Sequence, residues 1–135
     1  MKNYEILALI NNGALSITDH TIPTAHAIKV YRFKKSLNAL YKKLVEDEGE
    51  LIKQNNLEVK EGRLDGKPEN LKRFAELQNE LYNEEVAIEC KTMPYDAWHA
   101  LKVENKAVEI NGATKDVLTP MEAMLEGVLW EDEGE

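Results

Sequence analysis

Apolar side chains recur three and four positions apart through the middle of the chain. Val30, Phe33, Leu37, Leu40, Leu44 and Leu51 form one stripe at helical spacing, widened by Tyr41 and Val45, and predict a helix over residues 25–55. Leu71, Phe74, Leu77 and Leu81 repeat the pattern after Pro68, a residue suited to the first turn of a helix, and predict a second helix ending near residue 84. Gly62 and Asp65-Gly66 mark a reversal between the two, with Val59 and Leu64 paired in a small hairpin at the tip. A short connection makes consecutive striped helices antiparallel neighbours, which sets Phe74, Leu77 and Leu81 against Phe33, Leu37 and Leu40. A rod of roughly 45 Å exceeds what a domain of this size needs, so part of it must project or pair with another copy. Its far end is the weaker one, because Asp47 interrupts the stripe and Gly49 costs about 1 kcal/mol relative to Ala inside a helix.

The flanks read differently. Tyr4, Ile6, Leu7, Leu9 and Ile10 predict a short helix stopping near Asn11-Asn12-Gly13, and Pro23 biases Ile22 away from helix, so the long helix starts at about residues 21–24. After Glu85 the period drops to two. Val86, Ile88 and Cys90 alternate with Ala87, Glu89 and Lys91, and Val108 and Ile110 alternate with Ala107 and Glu109 before the turn pair Asn111-Gly112, which predicts two antiparallel strands. Residues 92–99 between them read as a capped helical turn, with Trp98 and Leu101 packed inward. Thr119, Pro120 and Glu122 carry the capping-box signature, and Met121, Met124, Leu125, Val128 and Leu129 give the helix that follows one apolar face. Residues 131–135 read as an acidic frayed tail. The expected fold class is α+β, mainly α, in a single domain over residues 1–135. A long antiparallel helical hairpin fills about 24–85, and a small α/β part, about 86–130, holds a two-stranded β element and a C-terminal helix.

Composition narrows the partners. With 43% apolar and 31% charged residues in 135, the chain can build a core under a highly charged surface. The formal net charge of -8 argues against nucleic acid, whose backbone is bound through clustered cations. Cations gather at Lys29, Arg32, Lys34, Lys35, Lys42 and Lys43, which on a long helix ordinarily make a solvated face. The single cysteine, Cys90, fits a reducing compartment, and its place in an alternating run reads as a small buried residue. Neither a signal-peptide pattern nor an apolar run of about 18 residues occurs, so the expectation is a cytoplasmic protein that does not enter a membrane.

Candidate chemistry is sparse. His20, His26 and His99 match no metal-ligand spacing. Asp96 and His99, with Trp98 beside them, are the best acid–base pair, set against the ordinary role of Asp as a helix cap. Glu46, Asp47, Glu48 and Glu50 point to different sides of a helix and cannot converge on a cation. No phosphate loop, Cys-x-x-Cys pair or nucleophile elbow occurs, so no catalytic residue, metal ligand or cofactor is expected. Binding remains. Lys29, Tyr31, Arg32, Arg73 and Tyr95 are candidate donors and stacking groups for a small nucleotide-like anion held between protomers. Phe33, Leu37, Leu40, Phe74 and Leu81 can pack within the chain or between copies, and Trp130, beside the adaptable Met121 and Met124, is the candidate partner-binding anchor.

The Ile6–Leu15 helix, the Ile22-Pro23 entry, the long Leu-striped helix, the charged tip and the run Leu118-Thr119-Pro120-Met121-Glu122-Ala123-Met124-Leu125 together resemble a family of short proteins of unknown function encoded by tailed phages and prophages. Residues 95–109 are longer than the family pattern, and no catalytic residue transfers. The resemblance implies an accessory role in the host cytoplasm, as an assembly factor or an inhibitor of a host process. The expectation is a non-catalytic homo-oligomer that binds a host or viral protein. The alternative is an oligomer sequestering a small nucleotide-like ligand, with a small hydrolase built on Asp96 and His99 third.

Overall fold

In the computed structural model, which describes residues 1–132, the long stripe forms one helix, α2 (Thr24–Gln54), of 31 residues. Ahead of it stands α1 (Asn3–Asn11), and after it come α3 (Pro68–Tyr82), α4 (Tyr95–Glu104) and the four-residue α5 (Glu122–Leu125). Among the described residues six short strands pair in twos. β1 (Glu58–Lys60) with β2 (Arg63–Asp65) and β4 (Val108–Ile110) with β5 (Ala113–Lys115) are antiparallel, while β3 (Met93–Pro94) runs parallel to β6 (Trp130–Glu131). The protein is thus α+β and mainly helical, and no helix among the described residues is long and apolar enough to cross a membrane.

The two halves of α2 do different work. In the first half Val30, Phe33 and Leu37 are buried with Ile6 and Leu9 of α1, Trp98 and Leu101 of α4, and Leu118, Met121, Leu125 and Leu129 from the end of the chain. In the second half α2 pairs with α3. Gln78 Nε2 donates to a Glu48 carboxylate oxygen at 3.1 Å, and the Tyr82 hydroxyl donates to the same oxygen. These bonds fix the register, setting α3 against the distal half of α2. Phe74, Leu77 and Leu81 therefore do not face Phe33, Leu37 and Leu40 as the stripes suggested. The reason is length: α3 starts beside the end of α2, and its 15 residues reach back only about 22 Å, half the rod. The tip between them is the expected hairpin, with Val59 opposite Leu64.

Each of the first four helices ends on an asparagine. Asn12, Asn55, Asn83 and Asn105 occupy the C-cap positions of α1, α2, α3 and α4. Their side-chain amides donate to the carbonyls of Ala8, Leu51, Asn79 and Leu101, at 2.7 to 2.8 Å, four residues back. Each of these carbonyls also accepts the backbone N–H of the same asparagine, so the amide adds a second bond that closes the last turn against fraying.

Three expectations for the second half of the chain are corrected. Residues 86–92 are extended, with Val86, Ile88 and Cys90 turned toward the core and Ala87, Glu89 and Lys91 exposed, yet they pair with no strand among the described residues. Residues 108–110 instead pair with the next residues in the chain, because Asn111 and Gly112 at φ 52° and 82° supply the tight turn that closes a hairpin at the smallest loop cost. The predicted C-terminal helix is cut to a 3-10 turn at Thr119–Met121 and the short α5. Its capping box does not form: Asp116 Oδ1 accepts the Thr119 N–H at 3.2 Å, and the Glu122 carboxylate is taken by Trp98 and Lys102. Gly127, at φ 80°, then turns the chain into β6, so Glu131 belongs to a strand rather than a frayed tail, and residues 133–135 of that tail lie outside the described residues.

Candidate partner-binding cleft

One outward stripe of α2 is left uncovered by the core and by α3. Arg32, Lys35, Ala39, Lys43, Asp47 and Glu50 stand three or four residues apart, so they share a face, and all but the half-buried Asp47 are exposed. A groove of about 500 Å³ runs beside its first half, lined by Arg32, Lys35, Ser36, Ala39, Leu40 and Lys43 of α2 and by Ala87 and Glu89 of the extended segment. The Ser36 hydroxyl accepts the Glu89 N–H at 2.8 Å and pins that segment to the helix. A second groove of about 530 Å³ runs between the distal half of α2 and α3, over Leu51, Leu77 and Leu81, walled by Asp47, Glu50, Glu80 and Glu84. A small recess lies between them and shares Leu40 and Lys43 with the first groove and Asp47 and Glu84 with the second. The result is one cleft along α2, basic at one end, acidic at the other and apolar underneath.

The candidate ligand residues are not brought together. Lys29 Nζ donates to the Thr92 carbonyl at 3.0 Å and touches His26 Nδ1 at 3.3 Å. Tyr31 is 62% exposed, and Arg32 lies in the basic groove. Arg73 sits on the exposed side of α3, about 30 Å along the rod from Arg32 in the register set by Glu48. Tyr95 packs edge-on to Trp130, with ring centroids 5.5 Å apart.

The apolar candidates take the intrachain alternative. Phe33, Leu37, Phe74, Leu81 and Trp130 are buried within the chain, and Leu40 is half-buried on the cleft floor. Trp130 anchors its own molecule. Its indole stacks on Trp98 at 5.9 Å, and its Nε1 donates to the Glu122 carbonyl at 2.8 Å. Glu122 Oε1 in turn accepts from Trp98 Nε1 at 2.8 Å and Lys102 Nζ at 2.9 Å. The Lys102 bond above all, with the Trp98 bond behind it, holds the Glu122 carboxyl below its ordinary range.

Asp96 and His99 are both exposed and share no hydrogen bond or ion pair among the described residues. The Cys90 thiol is half-buried and donates to the Val128 carbonyl at 3.0 Å, and burial pushes its pKa up, away from nucleophilic use. The cleft went unread in the sequence because its cations and its carboxylates appear there as two separate charge runs. Reading every third and fourth residue of α2 for charge as well as for hydrophobicity is the signal that joins them. No family model, curated protein or solved structure matches the chain.

Proposed function

We propose that the protein is a non-catalytic binding protein whose working surface is the cleft along α2. The observation that carries this reading is the coincidence, on one uncovered helix face, of a long apolar floor with walls of opposite charge at its two ends. Such a surface suits a helix or extended segment of another protein, with the floor contributing affinity and the walls fixing orientation. The resemblance of the layout to short phage proteins supports an accessory role as an assembly factor or an inhibitor of a host process.

The test is photocrosslinking in cells, with a photoreactive side chain at position 39 in the cleft and, as control, at the exposed position 123 on α5. A discrete adduct at position 39 that is absent at 123 and lost in the Lys35→Glu variant is expected. Equal capture at both positions, or none at 39, overturns the reading.

A further inference from the structure

The occupant of a charge-graded cleft should carry the same gradient reversed. The protein itself presents such a surface, because the stripe from Arg32 to Glu50 run backwards is acidic where the original is basic. A helix face of this kind is complementary to itself in antiparallel orientation, and an antiparallel self-contact is what a two-fold axis generates. We infer, on the reading that the cleft is a binding surface, that its occupant is a second copy of this chain.

The two α2 helices cross antiparallel about an axis between Ala39 and Lys43. Lys35 of each copy meets Asp47 of the other, and Arg32 meets the other's Glu50. Ala39, small and exposed, lets the helices approach closely near the axis. Each hairpin contributes α2 and α3, so the pair forms a four-helix arrangement in which the floor of Leu40, Leu51 and Leu77 is covered.

Charge separation makes the inference testable by exchange. Native mass spectrometry and sedimentation at high micromolar concentration in low salt should show a dimer for the natural sequence. The double variants Lys35→Glu/Lys43→Glu and Asp47→Lys/Glu50→Lys each place like charges across the axis, and each should weaken self-association by ~10-fold or more. Mixed one to one, they should form a heterodimer, which a misfolded variant could not do. A monomeric natural sequence, or a homodimer that both variants retain, overturns the inference. The photoreactive side chain at position 39 separates this failure from that of the binding reading: a doubled mass supports pairing, an adduct of another mass alone leaves the cleft and removes the second copy, and no adduct removes both.

Discussion

The four C-cap asparagines make one kind of bond in different surroundings, so their substitutions should rank by burial. Asn83 is exposed and serves its own helix end. Asn105 is fully buried, and besides Leu101 it holds the loop ahead of α2, donating to the Thr18 carbonyl at 2.8 Å and accepting the Thr18 N–H at 2.9 Å. Asn83→Ala should cost about 0.5–1 kcal/mol and Asn105→Ala about 2–4 kcal/mol in urea unfolding, because the second opens a cavity in the core and leaves both half-buried main-chain groups of Thr18 without their partner. Glu122→Ala should cost about 1–2 kcal/mol at neutral pH by freeing Trp98 Nε1 and the Lys102 ammonium. The pH dependence has a definite sign. A carboxyl with its pKa lowered by folding contributes stability above its ordinary value of 4.5, and the contribution is lost as pH falls. Acid unfolding curves of Glu122→Ala should therefore be shallower than those of the natural sequence. None of these roles was legible beforehand. Asn105 bonds to a residue 87 positions away, and Glu122 sits where a capping box predicts another use, so only the tertiary fold assigns them.

At the scale of elements, what the sequence revealed depended on whether an element's signal was local. The apolar stripes of α1, α2 and α3 and the small hairpin at the tip were legible because periodicity and turn residues act within the segment. β5 was not legible: Ala113, Thr114 and Lys115 are all exposed and carry no alternation, and the strand exists because Asn111-Gly112 folds it back on β4. The pairing register of α2 with α3 escaped for a related reason. Stripes fix which faces meet, while the slide of one helix along the other is set by Gln78 and Tyr82 reaching Glu48. That contact has its own pH signature. Burial, reinforced by the hydrogen bond to Glu48, pushes the Tyr82 phenol up to about 12 from 10.0. A raised pKa contributes stability that is complete below the unfolded value and fades as pH rises through the folded one. Stability should fall between about pH 10 and 12 in the natural sequence, and Tyr82→Phe should flatten that limb in urea titrations.

For the whole molecule, the division of α2 between a core and a two-helix arm predicts uneven stability. The first half of α2 is closed in by α1, α4 and the chain end, whereas the distal half has α3 alongside and the cleft open next to it. Amide exchange should be fastest in the arm, and α3 should exchange together with residues 44–54 as one unit. Gly49→Ala, at a position where an added Cβ meets nothing within 4 Å, should slow exchange there by about 1 kcal/mol of local stability. Equal protection in both halves of α2 would contradict the division.

The order of charges on α2 reaches further than contact. Peptide dipoles already make the start of a helix positive and its end negative. Side chains ordinarily oppose that polarity, but here the cations lie in the first half of the rod and the carboxylates of Asp47 and Glu50 in the second, so the two add. The local cost is some helix stability. In return, the outward stripe of a molecule of net charge -8 carries a separation of charge, and so an electric moment, along the longest helix. Such a moment exerts a torque on an approaching charged body, so that encounters begin partly aligned and the alignment range shrinks to about 8 Å in physiological salt. The helix face that would receive a partner would thus also act as a compass for its approach.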